Sequence, residues 1–128
     1  MKNGLHGSES EWLRIEAPLR AVDPVLLEFA RARGLAVSKN YHDWPERSLV
    51  WGSQVRRLLQ LYLQDSESLT FNLWLCASHD RGGSRYWKKA FLFERLAADE
   101  FSPGLPVLLD EGFTLVNSWR TEDFERAS

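Results

Sequence analysis

Apolar residues recur every three or four positions near the start of the chain, which is the spacing of one helix face. The first run consists of Trp12, Ile15, Leu19 and Val22. Pro18 lies inside this run, and a proline in a helix interior removes a backbone hydrogen bond. Asp23-Pro24 has the form of a second helix start, with Asp as the N-cap and Pro at the first helical position. The pattern therefore predicts two short N-terminal helices, the second ending at Gly34.

From residue 35 the apolar period changes to two, which is the period of a β-strand. Alternating segments predict strands at 35–41, 49–51, 68–78 and 84–94. Residues 55–64 fit either a helix or a strand. The alternation over 68–78 requires an antiparallel partner, and residues 65–67 have the length of a hairpin loop. We therefore predict a strand at 55–64 and an antiparallel meander of five strands.

A third helix is predicted to begin at Ser102-Pro103. As in Asp23-Pro24, the first residue has the form of an N-cap and the proline that of the first helical position. Apolar residues from Leu105 to Trp119 continue it as a helical stripe. The expected fold class is α+β: about five antiparallel strands, with two short N-terminal helices and one long C-terminal helix packed on one face, formed by the odd-numbered residues. We expect a single domain over 1–128, with 1–7 and 121–128 frayed.

Composition is that of a folded, water-soluble protein. Hydrophobic residues make up 44% of the 128 positions and charged residues 27%. A single cysteine excludes an internal disulfide, and no apolar run approaches the roughly 20 residues that span a membrane. The first ten residues lack the apolar stretch of a signal peptide. We therefore expect a cytoplasmic protein without membrane association.

The predicted hairpins gather a mixed set of side chains on the even-numbered face. With residue 64 opposite 68, and 78 opposite 84, this face would contain Arg56, Leu58, Tyr62, Asn72, Trp74, Tyr86 and Lys88. Such a set is typical of cross-strand stabilisation, of a protein-binding or self-association surface, or of a single-stranded nucleic-acid platform. A small-molecule site is a further alternative, and the net charge of -2 and the pI near 5.9 disfavour nucleic acid as the partner.

The segment NYHDWPER, residues 40–47, is rich in functional side chains. Trp44-Pro45 fixes a turn, so Tyr41, His42 and Trp44 would form a binding loop beside the sheet. His42 and His79 each precede an aspartate, and a meander would allow both pairs to converge on a metal ion. Histidine and aspartate in turns are more often structural.

Two further motifs near the last predicted hairpin have simpler explanations. Nucleophile, base and acid residue types occur together in Cys76, Ser78, His79 and Asp80. Neighbouring side chains of a strand point to opposite faces, so adjacency does not make a catalytic triad. Gly82-Gly83 precedes a predicted strand rather than a helix, which indicates a hairpin turn and not a phosphate-binding loop.

These observations favour a non-enzymatic binding domain. The expected partner is another protein or a second copy of the chain, contacted through the aromatic and basic sheet face. We expect no catalytic residues, no metal and no cofactor. Two alternatives stay open: a small metal-dependent hydrolase that uses His42 and His79, and a single-stranded nucleic-acid binder.

Overall fold

The computed structural model describes residues 9–40 and 46–127, with side chains for 13–38, 46–100 and 104–127. These residues form two α-helices and six strands. In chain order the elements are α1 (Glu9–Arg33), β1 (Ala36–Asn40), β2 (Glu46–Trp51), β3 (Arg56–Asp65), β4 (Thr70–Arg81), β5 (Ser84–Ala97), α2 (Phe101–Ser118) and β6 (Glu125–Arg126). The predicted α+β class is confirmed. No helix in the described residues is long and apolar enough to cross a membrane.

The strands form one antiparallel meander in the order β1-β2-β3-β4-β5-β6. The strand predicted at 55–64 is confirmed as β3. The sheet has six strands rather than five, because β6 pairs with the first part of β5. Residues 121–127 were expected to fray, but they form a short 3₁₀ turn and β6, with Phe124 buried between them. The predicted frayed segment 1–7 lies outside the described residues.

The N-terminal segment is a single helix of 25 residues, so the prediction of two short helices is wrong. Pro18 and Pro24 both lie inside α1, and an internal proline costs roughly 3 kcal/mol. An apolar face continues past both prolines and is buried: Ile15, Leu19, Val22, Leu26 and Phe29. Burial of each such side chain contributes about 1.5–3 kcal/mol, which offsets the cost of the prolines.

An arginine of the sheet also holds α1 in place. Arg47 on β2 donates from Nε to Asp23 Oδ1 over 2.7 Å, and from Nη2 to Glu16 Oε2 over 3.0 Å. Arg20 donates to the same Glu16 carboxylate. Burial by itself lowers the pKa of Arg47, but the hydrogen bonds to Asp23 and Glu16 raise that pKa above its ordinary value. Asp23 is therefore a partner of the sheet rather than the predicted N-cap.

Both helices pack on the odd-numbered face of β2, β3 and β4. α2 approaches this face at Gly112, where a Cβ atom would lie 3.0 Å from Leu59 and 3.1 Å from Leu75. Trp51 and Arg57 donate hydrogen bonds to the C-terminal end of α2. The helix layer therefore covers one side of the sheet, and the even-numbered side of these strands faces away from it.

Candidate functional site on the open face of the sheet

The sheet face opposite the helices carries a continuous set of aromatic, amide and cationic side chains. We call it the open face. Because side chains alternate along a strand, its members are even-numbered on β2, β3 and β4, and odd-numbered on β5 as far as Phe91. Its members include Glu46, Ser48, Arg56, Leu58, Gln60, Tyr62, Asn72, Trp74, Cys76, Ser78, Trp87, Lys89 and Phe91. Within the described parts of the chain, neither helix covers this face.

The turn between β4 and β5 decides which side chains of β5 belong to the open face. Arg81 pairs with Ser84, so the turn consists of Gly82 and Gly83 alone, with φ values of 60° and 83°. Two successive positive φ values are the requirement of a type I′ hairpin turn. The predicted pairing of residue 78 with 84 is wrong, because residues 79–81 continue β4. The register differs from the predicted one by an odd number of residues, which turns β5 over.

Tyr86 and Lys88 consequently lie on the helix side of the sheet and not beside Trp74. The Tyr86 ring lies 5.8 Å from the His79 ring, measured between centroids. Lys88 Nζ lies 5.4 Å from the ring centroid of Trp119. The predicted grouping of Tyr86 and Lys88 with Trp74 is therefore wrong.

Three residues that the sequence pattern did not select take their place: Trp87, Lys89 and Phe91. Phe91 pairs with Trp74, and their ring centroids are 6.3 Å apart. Phe91 is 49% exposed, and Lys89 Nζ lies 4.1 Å from the Trp87 ring centroid. The signal that identifies these residues is the glycine pair, since Gly-Gly between alternating segments is typical of a two-residue turn.

The remaining predicted sheet residues do share the open face: Arg56, Tyr62, Asn72 and Trp74. The register of β3 against β4 differs from the predicted one by two positions, which preserves the face. Tyr62 pairs with Asn72, whose Nδ2 donates to Tyr62 Oη over 3.2 Å. Asn72 Oδ1 accepts from the backbone N–H of Arg95, 3.0 Å away. Asn72 is buried, so it fixes the β5 backbone rather than facing a ligand.

A chain of hydrogen bonds crosses the middle of the open face. Trp74 Nε1 donates to Gln60 Oε1 over 2.6 Å, and Gln60 Nε2 donates to Ser48 Oγ over 3.1 Å. The three residues lie on β4, β3 and β2. Polar side chains at the centre of the face are thus paired with one another, and their pairing does not depend on water.

Cys76 lies between Leu58 and Lys89 on the open face and is only 8% exposed. Burial raises the pKa of the thiol, and the nearby charges of Lys89 and Arg85 oppose that shift only in part. A raised pKa keeps the thiol protonated near neutral pH. Since the thiolate is the reactive form, this environment is that of an unreactive cysteine.

The predicted loop residues Tyr41, His42 and Trp44 lie outside the described residues. Asn40 and Glu46 flank that segment and pair with each other. Glu46 also pairs with Tyr62, so these flanking residues lie at the end of the sheet that contains Tyr62. His79 is near the opposite end of β4, about 20 Å away at the usual rise of a strand. It packs against the rings of Tyr86 and Phe124. Among the described side chains, no group of three or more His, Cys, Asp or Glu could hold a metal ion.

A second concave feature lies between the two helices, on the far side of the molecule. It is a groove of about 770 Å³, lined mainly by apolar side chains of α1 and α2 that include Phe29 and Val107. Arg33 lies over the Phe29 ring at 3.8 Å and pairs with Asp110 at 3.1 Å. The groove is separate from the open face, because the sheet lies between them.

Comparison of the chain with models of protein families, with curated proteins and with solved structures finds no match in any of the three. Function is therefore inferred from the side chains of the open face.

Proposed function

We propose that the protein is a non-catalytic binding module and that the open face is its docking surface for another protein. The observation that carries this proposal is the Trp74–Phe91 pair. It places a half-exposed phenylalanine against a tryptophan on a face that the helices leave uncovered. Trp and other aromatic side chains with large apolar area are the preferred anchors of protein interfaces.

The hydrogen-bond chain from Trp74 through Gln60 to Ser48 supports a partner that excludes water. A buried donor or acceptor without a partner costs about 1–3 kcal/mol. Because these groups are already paired with one another, each of the three side chains keeps a hydrogen bond when an apolar partner surface covers it. The centre of the face is therefore suited to a dry contact.

The charges around this centre define the chemistry of the partner. Arg56 is exposed and is the first residue of β3, two positions before Leu58. Lys89 is exposed and pairs with Cys76 across the sheet. Arg85 is already paired with Asp80, at 3.1 Å. The fitting partner is apolar at its centre and carries acidic groups where it meets Arg56 and Lys89.

Single-stranded nucleic acid is less well matched to this face. A nucleic-acid platform combines stacking aromatics with a cationic groove that follows the phosphates. Here the cation of Arg85 is engaged by Asp80, and the net charge of the chain is -2. Binding of a polynucleotide that weakens steeply with salt would contradict the protein-docking proposal.

Two open-face variants test the proposal, Trp74→Ala and Trp87→Ser. The immobilised wild-type chain is used to retain binding proteins from a lysate of the source cells, and one retained protein is then purified and titrated. Each variant is expected to weaken its binding by about tenfold or more, the scale of an interface hot spot. Urea unfolding of each variant establishes that the fold persists.

The matched control is Val107→Ser. Val107 is 69% exposed, the highest value among the large apolar side chains described, and it lines the groove between the helices. Binding by this variant should equal that of the wild type. Loss of binding in Val107→Ser with retention in both tryptophan variants would move the contact to the groove and refute the proposal.

A further inference from the structure

The groove between the helices is an apolar surface that the proposed docking function leaves unused. Phe29 lines it and is buried, whereas Ala32 and Val107 line it and are exposed to solvent. Along α1 the lining runs from Pro24 to Arg33, which is about 14 Å at the rise of an α-helix. A volume of about 770 Å³ lies within the range of small-molecule sites. The groove is therefore long, apolar and large enough for an extended ligand.

One internal proline of each helix lines the groove. Pro24 belongs to α1 and Pro106 to α2, and both are exposed. A proline in a helix interior removes a backbone hydrogen bond, and neither of these rings compensates for that loss by being buried in the core. Packing within the protein therefore does not account for the two prolines. As walls of the groove, they present rigid apolar rings without an N–H donor, which suits an apolar ligand.

Arg33 ends the α1 side of the groove and holds a cation there in a fixed position. Its guanidinium carbon lies 3.8 Å from the ring centroid of Phe29 and 5.7 Å from that of Phe113. Nη2 donates to Asp110 Oδ1 over 3.1 Å, the one hydrogen bond that this guanidinium makes with described residues. Since a guanidinium carries five N–H donors, Arg33 retains donors for a ligand while its position is set by the ring and the carboxylate.

The two carboxylates of the lining, Glu28 and Asp110, are both engaged by arginines. Both oxygens of Glu28 accept from Arg31 Nη2 at 2.6 Å, and Asp110 accepts from Arg33. Arg33 is the cation of the described lining. A guanidinium is the preferred partner of a carboxylate, which it can bind through two parallel hydrogen bonds. Charge complementarity at this end of the groove therefore favours an anionic head group.

We propose that the groove is a binding site for a small amphiphilic carboxylate, an unbranched alkyl chain that ends in a carboxylate, as in a medium-chain fatty acid. The chain would lie over Phe29 between the walls formed by Pro24 and Pro106, and the carboxylate would accept from the unused donors of Arg33. Asp110 competes for the same guanidinium and so limits the affinity. The site is independent of the open face, because the sheet lies between them.

The test is isothermal titration of the full chain with decanoate at neutral pH. Arg33→Gln should weaken binding by about tenfold or more, because it removes the charged partner of the head group. Asp110→Asn should tighten binding by about two- to fivefold, because it removes the competing charge of an exposed pair. The matched control is Arg120→Gln. Arg120 pairs with Glu122 at 2.8 Å beyond the end of α2, so its loss should leave the affinity unchanged.

Two further comparisons separate this site from unspecific apolar association. Decyltrimethylammonium has the same chain with a cationic head and should bind about tenfold more weakly than decanoate, since it lacks the bond to Arg33. Val107→Ser should weaken decanoate by about fourfold or more, the value of one buried CH₂ group. Urea unfolding of each variant establishes that the fold persists. Equal binding of the two probes, or unchanged binding by a folded Arg33→Gln variant, would refute recognition of the carboxylate.

Amide NMR spectra of the wild type locate the bound probe without any variant. Decanoate should shift the amide signals of Ala32 and Val107 in the groove, and those of Cys76 and Lys89 on the open face should stay in place. Trp74→Ala should bind decanoate as the wild type does, even where it fails to bind a partner protein. Absence of decanoate binding to the wild type, or shifts confined to the open face, would overturn the assignment of the groove.

Discussion

Arg47 and Glu16 form an ion pair whose two side chains are both completely buried, with 3.0 Å between Nη2 and Oε2. The pair joins the middle of α1 to β2, and Asp23 completes it from the next turns of the helix. Moving such charges out of water is costly, so a buried pair is sensitive to the loss of one member. This pair is therefore where the contact between helix and sheet is most vulnerable to a single substitution.

We predict that Arg47→Met lowers the free energy of unfolding by about 3–5 kcal/mol, because it removes a fully buried cation from both Glu16 and Asp23 and leaves the buried Glu16 carboxylate with Arg20 alone of these two arginines. Urea unfolding monitored by tryptophan fluorescence measures the change. The control is Arg31→Met, whose pair with Glu28 is exposed and should change stability by less than about 1 kcal/mol. Equal effects of the two substitutions would contradict the assignment of the buried pair to the helix–sheet contact.

Pro24→Ala is expected to stabilise the protein. Pro24 is exposed in the interior of α1, so the substitution restores a donor to the Arg20 carbonyl without removing a core contact. Proline costs about 3 kcal/mol in a helix interior, but its removal also makes the unfolded chain more flexible. The free energy of unfolding should therefore rise by about 1–3 kcal/mol. Urea unfolding measures it, and a loss of stability would indicate that α1 needs the local geometry that proline imposes.

Two glycines of α2 should respond in opposite directions. A side chain at Gly112 would meet Leu59, Leu75 and Leu92 at 3.0–3.3 Å, whereas a Cβ atom at Gly104 would have no tertiary neighbour within 4 Å among the described side chains. Gly112→Val should destabilise by about 1–3 kcal/mol through overpacking. Gly104→Ala should stabilise by about 0.5–1 kcal/mol through helix propensity. Thermal unfolding of both variants provides the comparison, and a stable Gly112→Val variant would mean that α2 sits farther from the sheet.

Cys76 should make stability fall in alkaline solution. Its pKa is raised by burial in the folded state, so the unfolded chain loses the thiol proton first, near pH 8.5. The free energy of unfolding then decreases as pH rises from that value toward the folded pKa. Cys76→Ala should lack this part of the decrease. Urea unfolding of both proteins between neutral and alkaline pH checks the difference, and parallel curves would contradict the raised pKa.

The local alternation of side chains predicted five of the six strands and their antiparallel order, but not β6 or the registers. β3 was ambiguous on its own, and the regular pattern of β4 correctly identified it as a strand. The unbroken α1 was not predictable in the same way, because Pro18 and Pro24 are local signals. The interactions that override them are long-range: the apolar face of α1 is buried against the sheet, and Arg47 pairs with Glu16 and Asp23, which lie 31 and 24 residues before it.

The candidate site was predicted only as far as the β3–β4 hairpin. An error of two residues in that register left Arg56, Tyr62 and Trp74 on their predicted face. At the turn between β4 and β5 the predicted register was wrong by an odd number of residues. The open face therefore contains Trp87, Lys89 and Phe91 instead of the predicted Tyr86 and Lys88. Further along β5, the hydrogen bond from Arg95 N to Asn72 accompanies a positive φ at Arg95, a backbone feature that residue alternation does not reveal.

The two prolines of α1 also have a consequence for the order in which the chain folds. Without the sheet, a segment of 25 residues with two internal prolines lacks the buried partners that offset their cost, so it should be largely non-helical as a peptide in water. Arg47 becomes available to Glu16 and Asp23 only when β2 is placed. The first helix of the sequence is therefore expected to be among the last elements to form, after the β-hairpins whose strands are neighbours in the chain.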